Sequence, residues 1–213
     1  MSVGVKICGL TTPEAVGAAL AGGAGFLGFM FFEKSPRNIA PDAAGRLAQS
    51  VRGKAKIVAV MVDPDDALVD RVARGLTPDL IQLHGKETPA RARAIGARAG
   101  AGIIKVLPVS EASDVGAADA YDGLVEHLMF EGKPPKDATL PGGSGHRFDW
   151  SLMAGRRYQR PWFLAGGLDP WNLAEAAKLS GAPLVDVSSG VERGPGLKDP
   201  ALITAFLDAA RKA

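Results

Sequence analysis

The sequence predicts an α/β protein folded as a (β/α)8 barrel, and three observations carry the prediction. Eight short apolar runs recur along the 213 residues, their hydrophobicity is continuous rather than alternating, and segments with helical signals separate them. Continuous hydrophobicity is typical of parallel strands, which are covered on both faces. Alternating strands and helices pair in parallel through right-handed crossovers. Eight units in this length favour a closed barrel, and a doubly wound open sheet is the alternative because periodicity does not reveal closure.

The apolar runs define the predicted strands. In chain order they cover residues 3–8, 25–32, 56–62, 79–84, 102–107, 123–130, 161–167 and 183–189. Between them, proline at the first helical position and glycine after the last recur as helix start and stop signals. Six helices are predicted, at residues 12–23, 41–51, 64–75, 88–100, 169–181 and 199–213, with two weaker ones at 111–121 and 150–158. No linker or low-complexity segment interrupts this order, so we expect residues 1–213 to form a single domain.

Composition and charge exclude several classes of function. The chain has 25 basic and 23 acidic side chains and a formal net charge of +2, a balance that does not require a nucleic acid or an anionic membrane as partner. Its single cysteine, Cys8, excludes an intrachain disulfide and fits a reducing compartment. We find no signal-peptide pattern and no apolar stretch long enough to span a bilayer. We therefore expect a cytoplasmic protein whose partner is a small molecule.

Residues that carry chemistry follow the predicted strands. The active sites of such barrels lie at the carboxyl ends of the strands, so the residues found there form one candidate site. They are Cys8, Arg37, Asp63, His84, Lys105, Glu131, Gly166, Gly167 and the segment from Asp186 to Gly190. A long irregular segment, residues 131–149, follows the sixth strand and predicts a lid over this site.

Two glycine-rich segments, after the seventh and eighth strands, predict a phosphate site. In many barrels the loops at these two positions hold a phosphate through backbone N–H groups. Glycines in one loop could merely turn the chain, but glycine-rich endings on both strands favour an anion. The candidate ligands are Gly166, Gly167, Ser188, Ser189 and Gly190.

The cysteine ends the first predicted strand, two residues after Lys6. A spacing of two places both side chains on one side of a strand, where a lysine ammonium could lower the pKa of the Cys8 thiol and favour the thiolate. Such a thiolate is an acid/base group. The alternative is a small buried hydrophobic residue with an inert thiol. These residues alone leave both interpretations open.

Six motifs make the chain similar to one known family. They are VKICGLT at the start, FFEKSPRNI after the second strand, IQLHGKE at the fourth, PGGSGHRFDW at the end of the lid segment, FLAGGLDPWN at the seventh and VDVSSGVERGPGLKD at the eighth. In this order, over essentially the whole chain, the sequence resembles the phosphoribosylanthranilate isomerases of tryptophan biosynthesis. The resemblance implies a TIM barrel without a metal or organic cofactor. It also implies an Amadori rearrangement of N-(5-phospho-β-D-ribosyl)anthranilate to 1-(2-carboxyphenylamino)-1-deoxy-D-ribulose 5-phosphate.

The resemblance further implies roles for the site residues. Cys8 would be the general base, Glu131 would occupy the position of the general acid, and Arg37 would contact the anthranilate side of the substrate. The five phosphate candidates fall in the family's phosphate-binding loops. His84 and Asp186 would either bind the substrate or hold the rim of the site. Family members include monomers and homodimers, and we expect one of these states for this chain.

Glu131 departs from the family pattern, in which the acid is ordinarily aspartate. The extra methylene lets the carboxyl reach about 1 Å further, and misplacement on that scale costs about 100-fold in rate. Three explanations stay open: the backbone compensates, the chain is an impaired barrel that binds a phosphosugar without turnover, or Glu126 or Asp122 acts instead. Another phosphate-binding barrel, such as the related histidine-pathway isomerase or an epimerase, is a rival. The former uses two aspartates, so Cys8 argues against it.

Overall fold

Eight parallel strands follow one another around a closed barrel in the computed structural model, which describes residues 3–134, 142 and 145–213. The strands are β1 (Gly4–Cys8), β2 (Phe26–Phe31), β3 (Lys56–Met61), β4 (Leu80–Leu83), β5 (Gly102–Val109), β6 (His127–Gly132), β7 (Phe163–Leu164) and β8 (Leu184–Val187). Parallel pairing of β8 with β1 closes the barrel. The predicted barrel is confirmed, and the open sheet is wrong.

Helices follow the strands along the chain, and most begin and end where the sequence signals predict. They are α1 (Pro13–Ala21), α2 (Pro41–Ala48), α3 (Asp66–Leu76), α4 (Pro89–Ala99), α5 (Ala112–Val115), α6 (Leu173–Ser180) and α7 (Pro200–Lys212). The side chains of Thr12, Asp65 and Thr88 accept hydrogen bonds from backbone N–H groups of the first turns of α1, α3 and α4. Gly100 and Gly181 end α4 and α6 with φ of 64° and 70°, a left-handed conformation that favours glycine. No helix in the described part of the chain combines the length and the apolar character needed to cross a membrane.

The two weaker helical segments are shorter than predicted. Residues 111–121 form only α5 and a 3-10 turn at Gly116–Ala120, and residues 150–158 form only a 3-10 turn at Trp150–Met153. Within α5 and its 3-10 turn, which are fully described, only Val115 and Ala118 are buried. Two residues make too narrow an apolar stripe to hold a longer helix against the barrel.

Two strand boundaries also differ from prediction. The sixth strand begins at His127 rather than at residue 123 and extends through Glu131 to Gly132. The eighth strand ends at Val187, and a 3-10 turn (Ser189–Val191) and a small antiparallel hairpin follow it. The hairpin consists of β9 (Glu192–Gly194) and β10 (Leu197–Lys198) and was not predicted. Its turn packs closely on the loop after β2, because a Cβ at Gly196 would lie 2.5 Å from the Pro36 carbonyl oxygen.

Apolar side chains of the strands fill the barrel below the carboxyl ends. The buried members of this interior cluster are Cys8, Val58, Val60, Leu80, Ile104, Val106, Met129, Phe163 and Ala165. The rings of Phe26, His127 and Phe163 meet edge to face, with centroids 5.1 to 5.8 Å apart. This packed end lies opposite the carboxyl ends, where the candidate site is predicted.

We expect Phe163→Ala to lower the free energy of unfolding by about 3–5 kcal/mol, because it removes a fully buried ring and leaves a cavity. Urea denaturation followed by circular dichroism measures the change. Leu179→Ala is the control, since Leu179 is 44% exposed and surface substitutions change stability by about 0.5 kcal/mol or less. Equal effects of the two substitutions would contradict this assignment of the barrel interior.

Candidate active site

The carboxyl ends of the strands surround a cavity, as the barrel predicts. Its lining includes Cys8, Arg37, His84, Glu131, Gly166, Gly167, Asp186, Ser188 and Ser189. Gly190, a predicted phosphate ligand, is not among the described residues that line the cavity. It lies behind the wall, where a Cβ would overlap the Leu168 carbonyl group. The structure therefore brings the predicted acid, base and phosphate loops to one place.

The base candidate lies above a buried salt bridge inside the barrel. Lys6 and Cys8 are on the same side of β1, as predicted, and Lys6 is fully buried. In the β1–β8 register Lys6 is opposite Asp186, and its Nζ lies 2.7 Å from Asp186 Oδ1. Gly28 of β2 provides the space, because a Cβ there would lie 3.1 Å from Lys6 Nζ and 3.2 Å from Cys8 Sγ.

Burial raises the pKa of the Cys8 thiol above its ordinary value. Lys6 and Lys198 lower this pKa and Asp186 raises it, but desolvation is the largest effect. The ligand-free protein therefore holds Cys8 as a neutral thiol at pH 7. Lys6 therefore acts on the thiol pKa in the predicted direction, but desolvation outweighs its effect.

The acid candidate is held by a histidine. Glu131 Oε2 lies 2.7 Å from His84 Nε2, and both side chains are nearly buried. On the other side of the imidazole ring, Gln82 Nε2 lies 3.3 Å from His84 Nδ1. With the Gln82 amide donating to Nδ1, a neutral imidazole carries its proton on Nε2, the nitrogen that faces Glu131. His84 thus fixes the direction of the Glu131 carboxyl in the cavity.

The two alternative acids lie elsewhere. Glu126 precedes β6 at the amino-terminal end of the barrel and lies 3.5 Å from Arg160 at the protein surface. Asp122 accepts a hydrogen bond from the backbone N–H of Gln159. Neither lines the cavity as the structure describes it, so neither can take the place of Glu131.

Asp63 and Lys105, which were also predicted at strand ends, support the loop after β4 instead of lining the cavity. Lys105 Nζ lies 2.6 Å from Glu87 Oε2 and donates to the Gly85 carbonyl. Glu87 in turn accepts from the backbone N–H groups of Asp63 and Gly85. Because Gly85 follows His84 directly, this buried network sets the direction of the imidazole.

Arg37 lines the cavity and is anchored from behind. Its Nε and Nη2 donate to the two carboxylate oxygens of Glu192 at 2.7 and 2.8 Å. Lys198 contacts the same carboxylate. Burial acts to raise the pKa of Glu192, but the two cations outweigh it and hold this pKa below its ordinary value. The sequence analysis missed Glu192 and Lys198, although they lie on either side of the turn GPG, which is a hairpin signal.

The phosphate candidates provide backbone donors. Gly166 and Gly167 have φ of 89° and 66°, a region that favours glycine. Four backbone N–H groups of these loops donate to no backbone carbonyl of a described residue, apart from bonds internal to helices and strands. They belong to Gly166, Gly167, Ser189 and Gly190. The Ser188 hydroxyl donates to the carbonyl of Cys8 and so ties this loop to the base.

The predicted lid over residues 131–149 lies partly outside the described residues, which omit 135–141, 143 and 144. Gly142 and Gly145 line the cavity. A Cβ at Gly142 would overlap His84 and would lie 2.7 Å from Glu131 Oε2. A glycine at this position therefore covers the acid candidate closely.

Comparison with known proteins agrees with this geometry. Residues 5–209 match the family model of N-(5'-phosphoribosyl)anthranilate (PRA) isomerase. A protein from Caulobacter sp. (strain K31) with the name N-(5'-phosphoribosyl)anthranilate isomerase is 67% identical over 99% of this chain and 99% of its own length. One of the same name from Caulobacter vibrioides is 65% identical over 99% of this chain and 96% of its own length.

Solved structures that are similar to this chain are also phosphoribosylanthranilate isomerases. Phosphoribosyl anthranilate isomerase from Thermotoga maritima matches with a TM-score of 0.88 and 35% identity over 99% of this chain and 100% of that chain. A second isomerase structure, in complex with reduced 1-(o-carboxyphenylamino)-1-deoxyribulose 5-phosphate, matches with a TM-score of 0.84 and 32% identity over the same shares. A third, with a TM-score of 0.83 and 32% identity over the same shares, is described as monomers of the dimeric Thermotoga maritima enzyme. The predicted resemblance is thus confirmed, and the chain belongs to the N-(5'-phosphoribosyl)anthranilate isomerase family.

Proposed function

We propose that the chain isomerises N-(5'-phosphoribosyl)anthranilate to 1-(2-carboxyphenylamino)-1-deoxyribulose 5-phosphate, a step of tryptophan biosynthesis. One observation carries the proposal. The Cys8 thiol of β1 and the Glu131 carboxyl of β6 line one cavity, and β7 and β8 with their glycine-rich loops lie between them around the barrel. A phosphosugar bound to those loops therefore has an acid on one side and a base on the other.

The reaction begins with proton transfer from the carboxylic acid of Glu131 to the ribose ring oxygen. As the bond between that oxygen and C1 breaks, the anthranilate nitrogen donates its lone pair and a C1–N iminium forms. Cys8 loses its thiol proton to solvent, and the resulting thiolate removes the proton from C2, while the electrons of that C–H bond reduce the iminium to an enolamine. Transfer of the proton of the C2 hydroxyl to C1 gives the ketone. Two proton carriers in fixed positions are sufficient for this sequence.

The two ends of the substrate find matching groups in the cavity. Backbone N–H groups of the loops after β7 and β8 suit the phosphate, and the Arg37 guanidinium suits the anthranilate carboxylate. Met30, Phe32 and Val62 give the cavity an apolar wall that suits the aromatic ring. Asp186 also lines the cavity, but its salt bridge favours a role in holding Lys6 over direct substrate binding.

The position of Glu131 favours a working acid. The close contact with His84 gives the longer side chain a defined place in the cavity, which supports the explanation that the local structure compensates for the extra methylene. The alternative of an impaired phosphosugar-binding barrel has no support from the family match. The cytoplasmic location and the choice between monomer and homodimer remain predictions from the sequence.

We expect Glu131→Gln to lower kcat by about 10²- to 10⁴-fold in a steady-state assay with N-(5'-phosphoribosyl)anthranilate, because the amide cannot donate the proton. Glu131→Asp should retain part of the activity, because its carboxyl can still donate a proton. It should not retain all of it, because the shorter side chain withdraws from His84. Glu126→Gln is the matched control and should leave kcat unchanged. Binding without turnover by the unchanged chain would establish the impaired barrel, and an unaltered kcat for Glu131→Gln would remove Glu131 from the mechanism.

The thiol of Cys8 should titrate in opposite directions in two variants. Asp186→Asn removes an anion that raises the pKa of Cys8 and should lower it, whereas Lys6→Met removes a cation that lowers this pKa and should raise it. The rate of alkylation by iodoacetamide as a function of pH measures both shifts, and Cys8→Ser provides the background. Shifts in the same direction would contradict the electrostatic account of the base.

A further inference from the structure

The side chain of Lys198 is buried next to the active site, although it comes from the hairpin outside the barrel. Only 1% of the side chain is exposed. Its Nζ donates to the Ser188 carbonyl at 3.0 Å, lies 3.3 Å from the Ser188 hydroxyl, and contacts Glu192 Oε1. An ammonium group has three protons, so each proton of Lys198 has an acceptor.

The carboxylate of Glu192 is likewise surrounded by hydrogen-bond donors. Arg37 binds both of its oxygens, Lys198 contacts Oε1, and the backbone N–H of Gly196 lies 3.2 Å from Oε2. These four donors fill the acceptor positions of a carboxylate. A single buried anion is thus shared by two cations.

The charges of this group do not cancel. Two cations and one anion leave one net positive charge, and only Arg37 of the three lines the cavity. Arg37 has five N–H protons and uses two of them on Glu192. The three others have no acceptor among the described residues. An anion in the cavity would therefore meet a guanidinium whose charge has not been neutralised.

We propose that Lys198 is a positioning residue that acts through Glu192: by neutralising this carboxylate, it leaves the charge of Arg37 to the carboxylate of the substrate's anthranilate. The inference rests on the proposed function, because that substrate carries the carboxylate. If Lys198 only stabilised the hairpin, Glu192 would need no second cation, since Arg37 already binds it through two hydrogen bonds. The contact with Ser188 also ties this end of the cavity to the loop that is proposed to bind phosphate.

Lys198→Gln tests the proposal, because the amide can still donate to the Ser188 carbonyl but carries no charge. The probes are reduced 1-(o-carboxyphenylamino)-1-deoxyribulose 5-phosphate and the matched ligand without the carboxyl group, with Kd measured by calorimetry. We expect the variant to bind the carboxylated ligand about 10- to 100-fold more weakly, as for loss of a charged hydrogen bond. Binding of the ligand without the carboxyl group should change little.

A second variant separates charge from structure. Glu192→Gln combined with Lys198→Gln restores one net positive charge on Arg37, so binding of the carboxylated ligand should recover. Lys56→Gln is the matched control: Lys56 is also paired with a carboxylate, that of Asp79, but its side chain is 62% exposed and lies at the amino-terminal end of β3. It should leave both Kd values unchanged.

Three outcomes would overturn the proposal: an equal loss of affinity for both ligands in Lys198→Gln, no loss for either, or no recovery in the double variant. Should Lys198→Gln fail to fold, Glu192→Gln decides, because two cations without their anion should keep or increase the preference for the carboxylated ligand. Loss of the preference for the carboxylated ligand in Glu192→Gln would contradict the proposal. Turnover by the unchanged chain is a separate test, so failure of the proposed function is distinguishable from failure of this inference.

Discussion

The salt bridge between Lys6 and Asp186 lies at the seam where β8 pairs with β1 and closes the barrel. The two residues are 180 positions apart in the chain, and Lys6 has no exposed surface. Removing one partner of a buried ion pair costs about 3–5 kcal/mol, so this pair strongly favours the register that brings the two residues together. The same register places Cys8 next to both charges. Closure of the fold and the electrostatic environment of the base are therefore set by one contact.

Three groups of buried charges surround the cavity, and each fixes one part of it. Lys6 and Asp186 lie below the base, Lys105 and Glu87 hold the loop that carries His84, and Glu192 joins Arg37 to the hairpin. Loops at the ends of strands are usually the mobile part of a fold. Ion pairs with little access to water hold the side chains in place before the substrate arrives, which is the condition for electrostatic catalysis.

The sequence was sufficient to predict the barrel and the positions of its main strands, because continuous apolar runs and proline and glycine signals are local properties. It also placed Cys8, Arg37 and the glycine-rich loops at one end, since the carboxyl ends of parallel strands share an edge. The partner of Lys6 could not be predicted, because it depends on the register between the first and last strands. The lengths of the weak helices at residues 111–121 and 150–158 were overestimated for a different reason, since packing against the barrel decides how long such a helix is.

Burial of Cys8 has a chemical consequence outside the catalytic cycle. Peroxides and other oxidants react with sulfur mainly in its deprotonated form. Because desolvation keeps this sulfur protonated when no ligand is bound, the resting enzyme resists conversion to a sulfenic acid. The chain contains no second cysteine that could rescue such a product as a disulfide, so protection depends on the low reactivity of the sulfur itself.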